Sequence, residues 1–181
     1  MAHIGIIVGS LRHASFTKKV AQTFAKLAPA DLDPVLIPIG DLPLYNEDAE
    51  VPTPPASWTA FREAVAEVDG VWFFTPEYNR GLPAALKNAL DVASRPYGKN
   101  VWAGKPALVV SVSPGAIGGF GANMQLRQSL TFLDMPVLQQ PEAYIGGISK
   151  LLTEDGIVQG TQDYFALIIE KYADFYRQLK K

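Results

Sequence analysis

A three-layer α/β/α sandwich on a five-stranded parallel sheet is the fold this 181-residue sequence predicts, and three observations carry it. The first is a set of short runs that are apolar at every position, as strands covered by helices on both faces must be. The second is the helical periodicity between those runs, so that strand and helix alternate five times with short connections. The third is composition: 48% hydrophobic against 19% charged residues supports a sizeable core in a chain of single-domain length.

In chain order, residues 4–8 (IGIIV) form the first apolar run and end at Gly9. Val20, Phe24 and Leu27 recur at i, i+4 and i+7, which predicts a helix from about Ser15 to Ala28. Residues 34–37 form the second strand, and the Pro-rich stretch 41–55 reads as a long surface loop. The second helix is expected near Pro54, with Thr53 as N-cap and proline at the first helical position. Residues 71–74 (VWFF) form the third strand, and Leu82, Leu86 and Leu90 mark the third helix. Residues 107–112 follow as the fourth strand, with Leu126, Leu130 and Leu133 marking the fourth helix. A fifth strand is expected near Val137, and Phe165, Ile168, Tyr172 and Leu179 mark a C-terminal helix. Five strands in a chain of this length favour the flavodoxin-like order 2-1-3-4-5, with residues 1–181 as one domain.

Composition removes several functions. A net charge of −2 gives no general attraction for a polyanion, so no nucleic-acid partner is expected. Without cysteine there is no disulfide, thiolate catalysis or cysteine-held metal, and two histidines without grouped carboxylates make no metal site. No apolar run approaches the ~20 residues of a membrane helix. Nor does the N-terminus carry a signal-peptide pattern, so a soluble cytoplasmic protein without membrane partners is expected.

In a doubly wound sheet, ligands bind beyond the carboxyl ends of the strands, where the strand order reverses. Three loops there carry unusual sequences. Residues 9–17 (GSLRHASFT) join the first strand to the first helix, whose N-terminus favours an anion. Ser10, Ser15 and Thr17 add hydroxyls, and Arg12 adds a fork suited to phosphate oxygens. The loop lacks both the lysine of a nucleotide-triphosphate loop and the three glycines of a dinucleotide loop, so one phosphate monoester fits best. A plain N-cap at Ser15 beside a solvated Arg12 is the competing reading. Residues 75–83 (TPEYNRGLP) follow the third strand: Asn79 both donates and accepts hydrogen bonds, and Tyr78 offers a flat face with a polar tip. Ordinary turn chemistry is the alternative there. Residues 111–119 (SVSPGAIGG) supply glycines that let backbone approach a planar ring, or else a flexible lead into the fourth helix.

Taken together, these segments resemble the NAD(P)H-dependent FMN reductase family, which includes bacterial quinone and chromate reductases and some azoreductases. The resemblance rests on Gly9-Ser10-Leu11-Arg12 with Ser15 and Thr17, and on Pro76-Glu77-Tyr78-Asn79 followed by Leu86-Lys87-Asn88-Ala89-Leu90-Asp91. Its third part is Ser113 and Gly115 with Gly118 and Gly119, followed by Leu126-Arg127-Gln128. It implies noncovalent FMN, with Ser10, Arg12, Ser15, Phe16 and Thr17 holding the phosphate and ribityl chain. Pro76, Glu77, Tyr78 and Asn79 are then expected to meet the isoalloxazine, with Ser113 and Gly115 closing its other side. NAD(P)H is the co-substrate so implied, and a quinone, flavin, azo compound or chromate the acceptor. Val92 departs from the tryptophan that relatives often carry after the Leu-Asp pair, and residues 80–82 fill a stretch that varies within the family.

The flavin carries this chemistry, so no residue is assigned as catalytic and ping-pong kinetics are expected. Glu77 is read as a loop-shaping carboxylate. Arg12 and Arg80 are both suited to a nicotinamide 2′-phosphate, which leaves the choice of NADPH or NADH open. The resemblance also implies a homodimer or homotetramer, with Arg127 and Glu142 as candidates for a buried or interfacial ion pair. Two rivals stand beside the reductase: a flavodoxin-type electron carrier, for which −2 is a weak charge, and a phosphate-handling protein, for which the acidic cluster or lysine loop is missing.

Overall fold

A computed structural model describes residues 1–153 and 156–180. The sheet order is β2-β1-β3-β4-β5, all parallel, as the alternation predicts. The strands are β1 Ala2–Val8, β2 Leu32–Leu36, β3 Gly70–Thr75, β4 Ala107–Val112 and β5 Ala143–Ile145. The helices are α1 Phe16–Leu27, α2 Ala56–Glu67, α3 Ala84–Ala93, α4 Phe120–Phe132 and α5 Gln159–Leu179. A two-residue antiparallel pair, β6 Leu152–Thr153 with β7 Gly156–Ile157, precedes α5.

Alternation along each strand explains why every position is apolar. Ile4, Ile6, Trp72, Phe74, Leu108 and Val110 point to one face and pack with α1 and α5 through Val20, Phe24, Phe165, Ile168 and Tyr172. Ile7, Val71, Phe73 and Val109 point to the other face and pack with α2, α3 and α4. Side chains of a strand alternate with period two, so a sheet covered on both sides needs apolar residues at both phases. Aromatic contacts close each layer: Phe24 meets Phe74 edge-on at 5.1 Å and Trp72 meets Tyr172 at 5.6 Å on the first face, and Phe73 meets Trp102 at 5.7 Å on the second.

Strands β1, β2 and β3 start one or two residues earlier than read from sequence, and three further boundaries differ for a backbone reason. Helix α2 begins at Ala56 with Pro55 as its cap, two residues later than Pro54 with Thr53. A residue preceding proline is driven out of the helical region, so Pro54 cannot start a helix that Pro55 follows. The same effect keeps Leu82 outside α3, which starts after Pro83. The fifth strand does not begin at Val137. Val137 makes one isolated bridge to Ala107, and the ladder resumes only at Ala143. Between them lies Pro141, which has no amide hydrogen to donate.

The stretch 41–55 is a surface segment, but an anchored one. It contains a 3-10 turn over Glu47–Glu50. Asn88 on α3 donates to the carbonyls of Leu42 (3.1 Å) and Pro43 (2.9 Å) and accepts from the Tyr45 amide (2.8 Å). Arg62 on α2 pairs with Glu50 and donates to the Val92 carbonyl at 2.9 Å. Its guanidinium also lies 5.7 Å from the Trp58 ring centroid. These contacts tie the 41–55 segment to α2 and α3 without bringing it into the cleft described next.

Candidate functional site

Strand order reverses between β1 and β3, and the loops after β1, β3 and β4 meet there. They enclose a cleft of about 120 Å3. Its wall contains Ser10, Arg12, Phe16 and Thr17 from the first loop, Pro76, Glu77 and Tyr78 from the second, and Val112, Ser113 and Pro114 from the third. Eight of the residues expected from sequence are thus brought to one place. Gly9 permits the first two loops to close, since a Cβ there would stand 3.3 Å from Pro76 Cδ and 3.1 Å from Leu86 Cδ2.

Ser15 sits just behind the wall. Its backbone is extended (φ −73°, ψ 121°) and its hydroxyl accepts from the Lys18 amide at 3.1 Å, so it caps α1. The remaining amides of the first turn have no intrahelical acceptor, which leaves them for an anion. Thr17 is 3% exposed, while Arg12 is exposed on the rim. The competing reading of Ser15 as an N-cap therefore holds, and it does not compete: capping orients the helix end that faces the cleft.

Glu77 organises the other side. One carboxylate oxygen accepts from the Ala122 amide in the first turn of α4 at 3.1 Å, and the other lies 3.2 Å from Arg80 Nη1. Helix α4 has no side-chain cap of its own, because its N-cap is Gly119 with φ +77°. Glu77 supplies that cap from another loop, which joins the β3 and β4 loops. Close approach requires small residues: a Cβ on Gly121 would stand 2.6 Å from the Arg80 carbonyl oxygen.

Asn79 and Gly115 do not line the cleft. Asn79 (φ +49°) and Arg80 (φ +65°) are the two central residues of a tight turn closed by Tyr78 and Gly81, with N···O distances of 3.1 and 2.7 Å. The turn is held against α4 by Gln125, which accepts from the Leu82 amide at 2.9 Å. Gly115 donates its amide to Ser113 Oγ at 3.0 Å, bending the third loop beside the wall.

Sequence reasoning missed Val112 and Pro114 as wall residues, although both lay within the loop it singled out. It also missed the buried network under that loop. Asn123 donates to Ser111 Oγ at 3.2 Å and accepts from Arg127 Nε at 2.9 Å, and Arg127 Nη1 donates to the Leu138 carbonyl at 3.0 Å. Arg127 and Glu142, candidates for a buried or interfacial ion pair, do not pair within the chain among the described residues. Glu142 instead accepts from the Tyr144 hydroxyl at 2.8 Å, and burial holds the Arg127 pKa below its usual value. A larger open groove of about 770 Å3, lined in part by Arg127 and Gln128, lies toward the amino end of β4 and shares no residue with the cleft.

The donor set suits a flavin mononucleotide. Helix-end amides, three hydroxyls and a guanidinium match a phosphate and sugar-like chain. Beyond them, the Pro76–Tyr78 segment and Ser113–Pro114 form the remaining walls of the cleft. The fold and cleft thus define a flavodoxin-like protein with hydroxyls, a guanidinium and helix-end amides gathered at its topological switch point.

The chain belongs to the NADPH-dependent FMN reductase family, whose model matches residues 2–150. It is 53% identical to a quinone reductase of Pseudomonas putida over 95% of this chain and 93% of that one. It is 42% identical to a 2-hydroxy-1,4-benzoquinone reductase of Burkholderia sp., with 96% of each chain covered. Among solved structures it is similar to FerB, a flavoenzyme NAD(P)H:(acceptor) oxidoreductase from Paracoccus denitrificans. That match has a TM-score of 0.92, 35% identity and 98% coverage of both chains. The protein is accordingly an oxidoreductase that uses FMN and NAD(P)H and passes electrons to a small-molecule acceptor. No helix among the described residues is long and apolar enough to cross a membrane.

Proposed function

We propose that the protein is a cytoplasmic quinone reductase that takes electrons from NAD(P)H by a ping-pong mechanism, with residues 1–181 acting as one FMN-binding domain. The single observation that carries the reading is the convergence of three chemically distinct loops on one cleft at the switch point. The quinone acceptor is supported by the two relatives described above, which are both quinone reductases.

In this reading the amides of the first turn of α1, with Ser10, Arg12 and Thr17, hold the phosphate, while Ser15 orients that turn and Phe16 packs beside the ribityl chain. Pro76, Glu77 and Tyr78 form one side of the ring site, and Ser113 with the backbone at Gly115 forms the other. Asn79 supports the ring site through the turn that positions Tyr78. When bound, FMN would supply the redox chemistry, and the residues named here would hold and orient it. Glu77 is engaged with the Ala122 amide and Arg80, so its role is to position loops rather than to exchange protons. Tyr78, 55% exposed, flanks an open mouth that serves donor and acceptor in turn.

A homodimer or homotetramer belongs to the same reading. Its support is a set of exposed apolar residues on α4 and just before it, Ile117, Phe120, Met124 and Phe132.

The first test is a visible absorption spectrum of the purified protein before and after anaerobic NADPH. Flavin bands that bleach, with parallel double-reciprocal lines for a quinone acceptor, are expected. Bands that neither NADPH nor NADH bleaches would make the protein an electron carrier, and intersecting lines would overturn the ping-pong order.

A further inference from the structure

We propose that Arg80 is a specificity-determining residue, whose guanidinium recognises a phosphate group of the incoming nicotinamide dinucleotide. The proposal rests on the reading that this cleft takes NAD(P)H, and it adds which side chain meets the donor and through what chemistry.

The backbone is the first observation. With positive φ at both central positions, the Tyr78–Gly81 turn has the hallmark of a type I′ turn, a geometry that favours Asn followed by Gly. Asn79 follows that preference, but the second position carries arginine at φ +65°, where a side chain adds strain that glycine avoids. Residues held in sparsely populated backbone regions gather at ligand clamps and active sites. An arginine retained in such a place, 75% exposed and outside the core, gives nothing to packing in return.

Placement is the second observation. Arg80 Nη1 lies 3.2 Å from the Glu77 carboxylate, and Glu77 itself lines the cleft and is only 10% exposed. The guanidinium therefore stands beside a carboxylate of the cleft wall. One of its nitrogens is engaged, and the others project from an exposed side chain. The turn beneath it is rigid, closed by two cross-strand bonds and by Gln125. A planar fork held this way suits phosphate oxygens.

Charge is the third. The chain carries −2 overall and its donor is a polyanion, so approach needs a local positive group at the mouth. Neighbouring basic residues are committed elsewhere. Lys87 is paired with Asp91 on α3 at 2.6 Å, and Arg12 stands at the phosphate end of the cleft. Arg80 brings positive charge next to Glu77, on the Pro76–Tyr78 side of the cleft.

Arg80→Gly and Arg80→Lys, tested as FMN-loaded enzymes, decide the matter. Anaerobic stopped-flow bleaching of the flavin gives an apparent Kd for each donor without any acceptor present. Arg80→Gly is expected to raise that Kd about fivefold, the upper end of what an exposed ion pair supplies, while Arg80→Lys recovers part of the loss. The wild-type Kd should also climb with ionic strength more steeply than that of Arg80→Gly. A rise for NADPH alone assigns the 2′-phosphate, and an equal rise for NADPH and NADH assigns the pyrophosphate. FMN affinity and Tm are the structural readouts, and both should equal or exceed wild type because glycine relieves the positive φ. Unchanged donor Kd values would overturn the proposal. So would a lower Tm accompanied by lower FMN affinity, which would make Arg80 a structural residue. Failure of the wild-type flavin to bleach with either donor would instead overturn the reductase reading from which the proposal starts.

Discussion

Glu77→Ala is the substitution that most directly probes how the site is assembled. It removes a carboxylate that is 10% exposed and accepts from the Ala122 amide at 3.1 Å, at the end of a helix with no side-chain cap of its own. A buried hydrogen bond to a charged group is worth roughly 1.5–3 kcal/mol. The contact to Arg80 adds a few tenths of a kcal/mol at most, because Arg80 is exposed and water screens the pair. The expected loss is therefore about 2 kcal/mol. For a domain of this length each kcal/mol shifts Tm by about 2–4 °C, so thermal unfolding of the flavin-free protein should fall by about 6 °C. Glu77→Gln keeps an oxygen acceptor for the amide and should lose less than half of that. FMN should bind more weakly to the alanine variant, because α4 and the Ser113–Gly119 loop lose their tie to the β3 loop. Turnover gives the second arm of the test. If Glu77 only positions loops, the glutamine variant stays within about threefold of wild-type kcat, whereas a proton-transferring residue is worth about 10²–10⁴. A hundredfold loss of kcat in Glu77→Gln, or a Tm within 1 °C of wild type in Glu77→Ala, would refute this reasoning.

Gly118→Ala should be severe, since the new Cβ would stand 2.6 Å from the Tyr144 carbonyl carbon at φ +61°. A loss of about 3 kcal/mol is expected by chemical denaturation, against about 1 kcal/mol for Gly98→Ala, which has positive φ but open space around it. Asn88→Ala removes three hydrogen bonds that hold the 41–55 segment and should cost about 2–3 kcal/mol. Limited proteolysis should then cut first within residues 41–55. Asp31→Asn probes acid stability: hydrogen bonding to Arg177 holds the Asp31 carboxyl below its usual 3.8. A depressed carboxyl contributes stability that is present above the unfolded value and lost as pH falls through the folded one. The variant should therefore show a shallower loss of Tm below about pH 4. Half a molar salt should mask the difference, because both side chains are half exposed.

Much of this architecture was legible in the chain. Apolar runs without alternation identified a sheet covered on both faces, and five alternations identified its order, because backbone hydrogen bonding and right-handed crossovers leave few other solutions. The loops were legible as well, since their residues are poor core formers standing where strands end. Boundaries near proline were misread at α2 and at β5, where one ring removes a hydrogen-bond donor and also restricts the residue before it.

What the tertiary structure alone decided is how those loops connect. Nothing local to residues 75–83 shows that Glu77 caps a helix starting 43 positions later at Phe120, or that Asn88 holds a loop 45 positions earlier at Pro43. Nor does local sequence show that Arg127 turns to Asn123 and the Leu138 carbonyl instead of Glu142. Periodicity and turn chemistry act over a few residues, and they determined the layers, the strand order and the three loops of the cleft. A carboxylate between two loops, an amide between a helix and a distant segment, and the space that only glycine leaves all depend on which surfaces the folded sheet brings together.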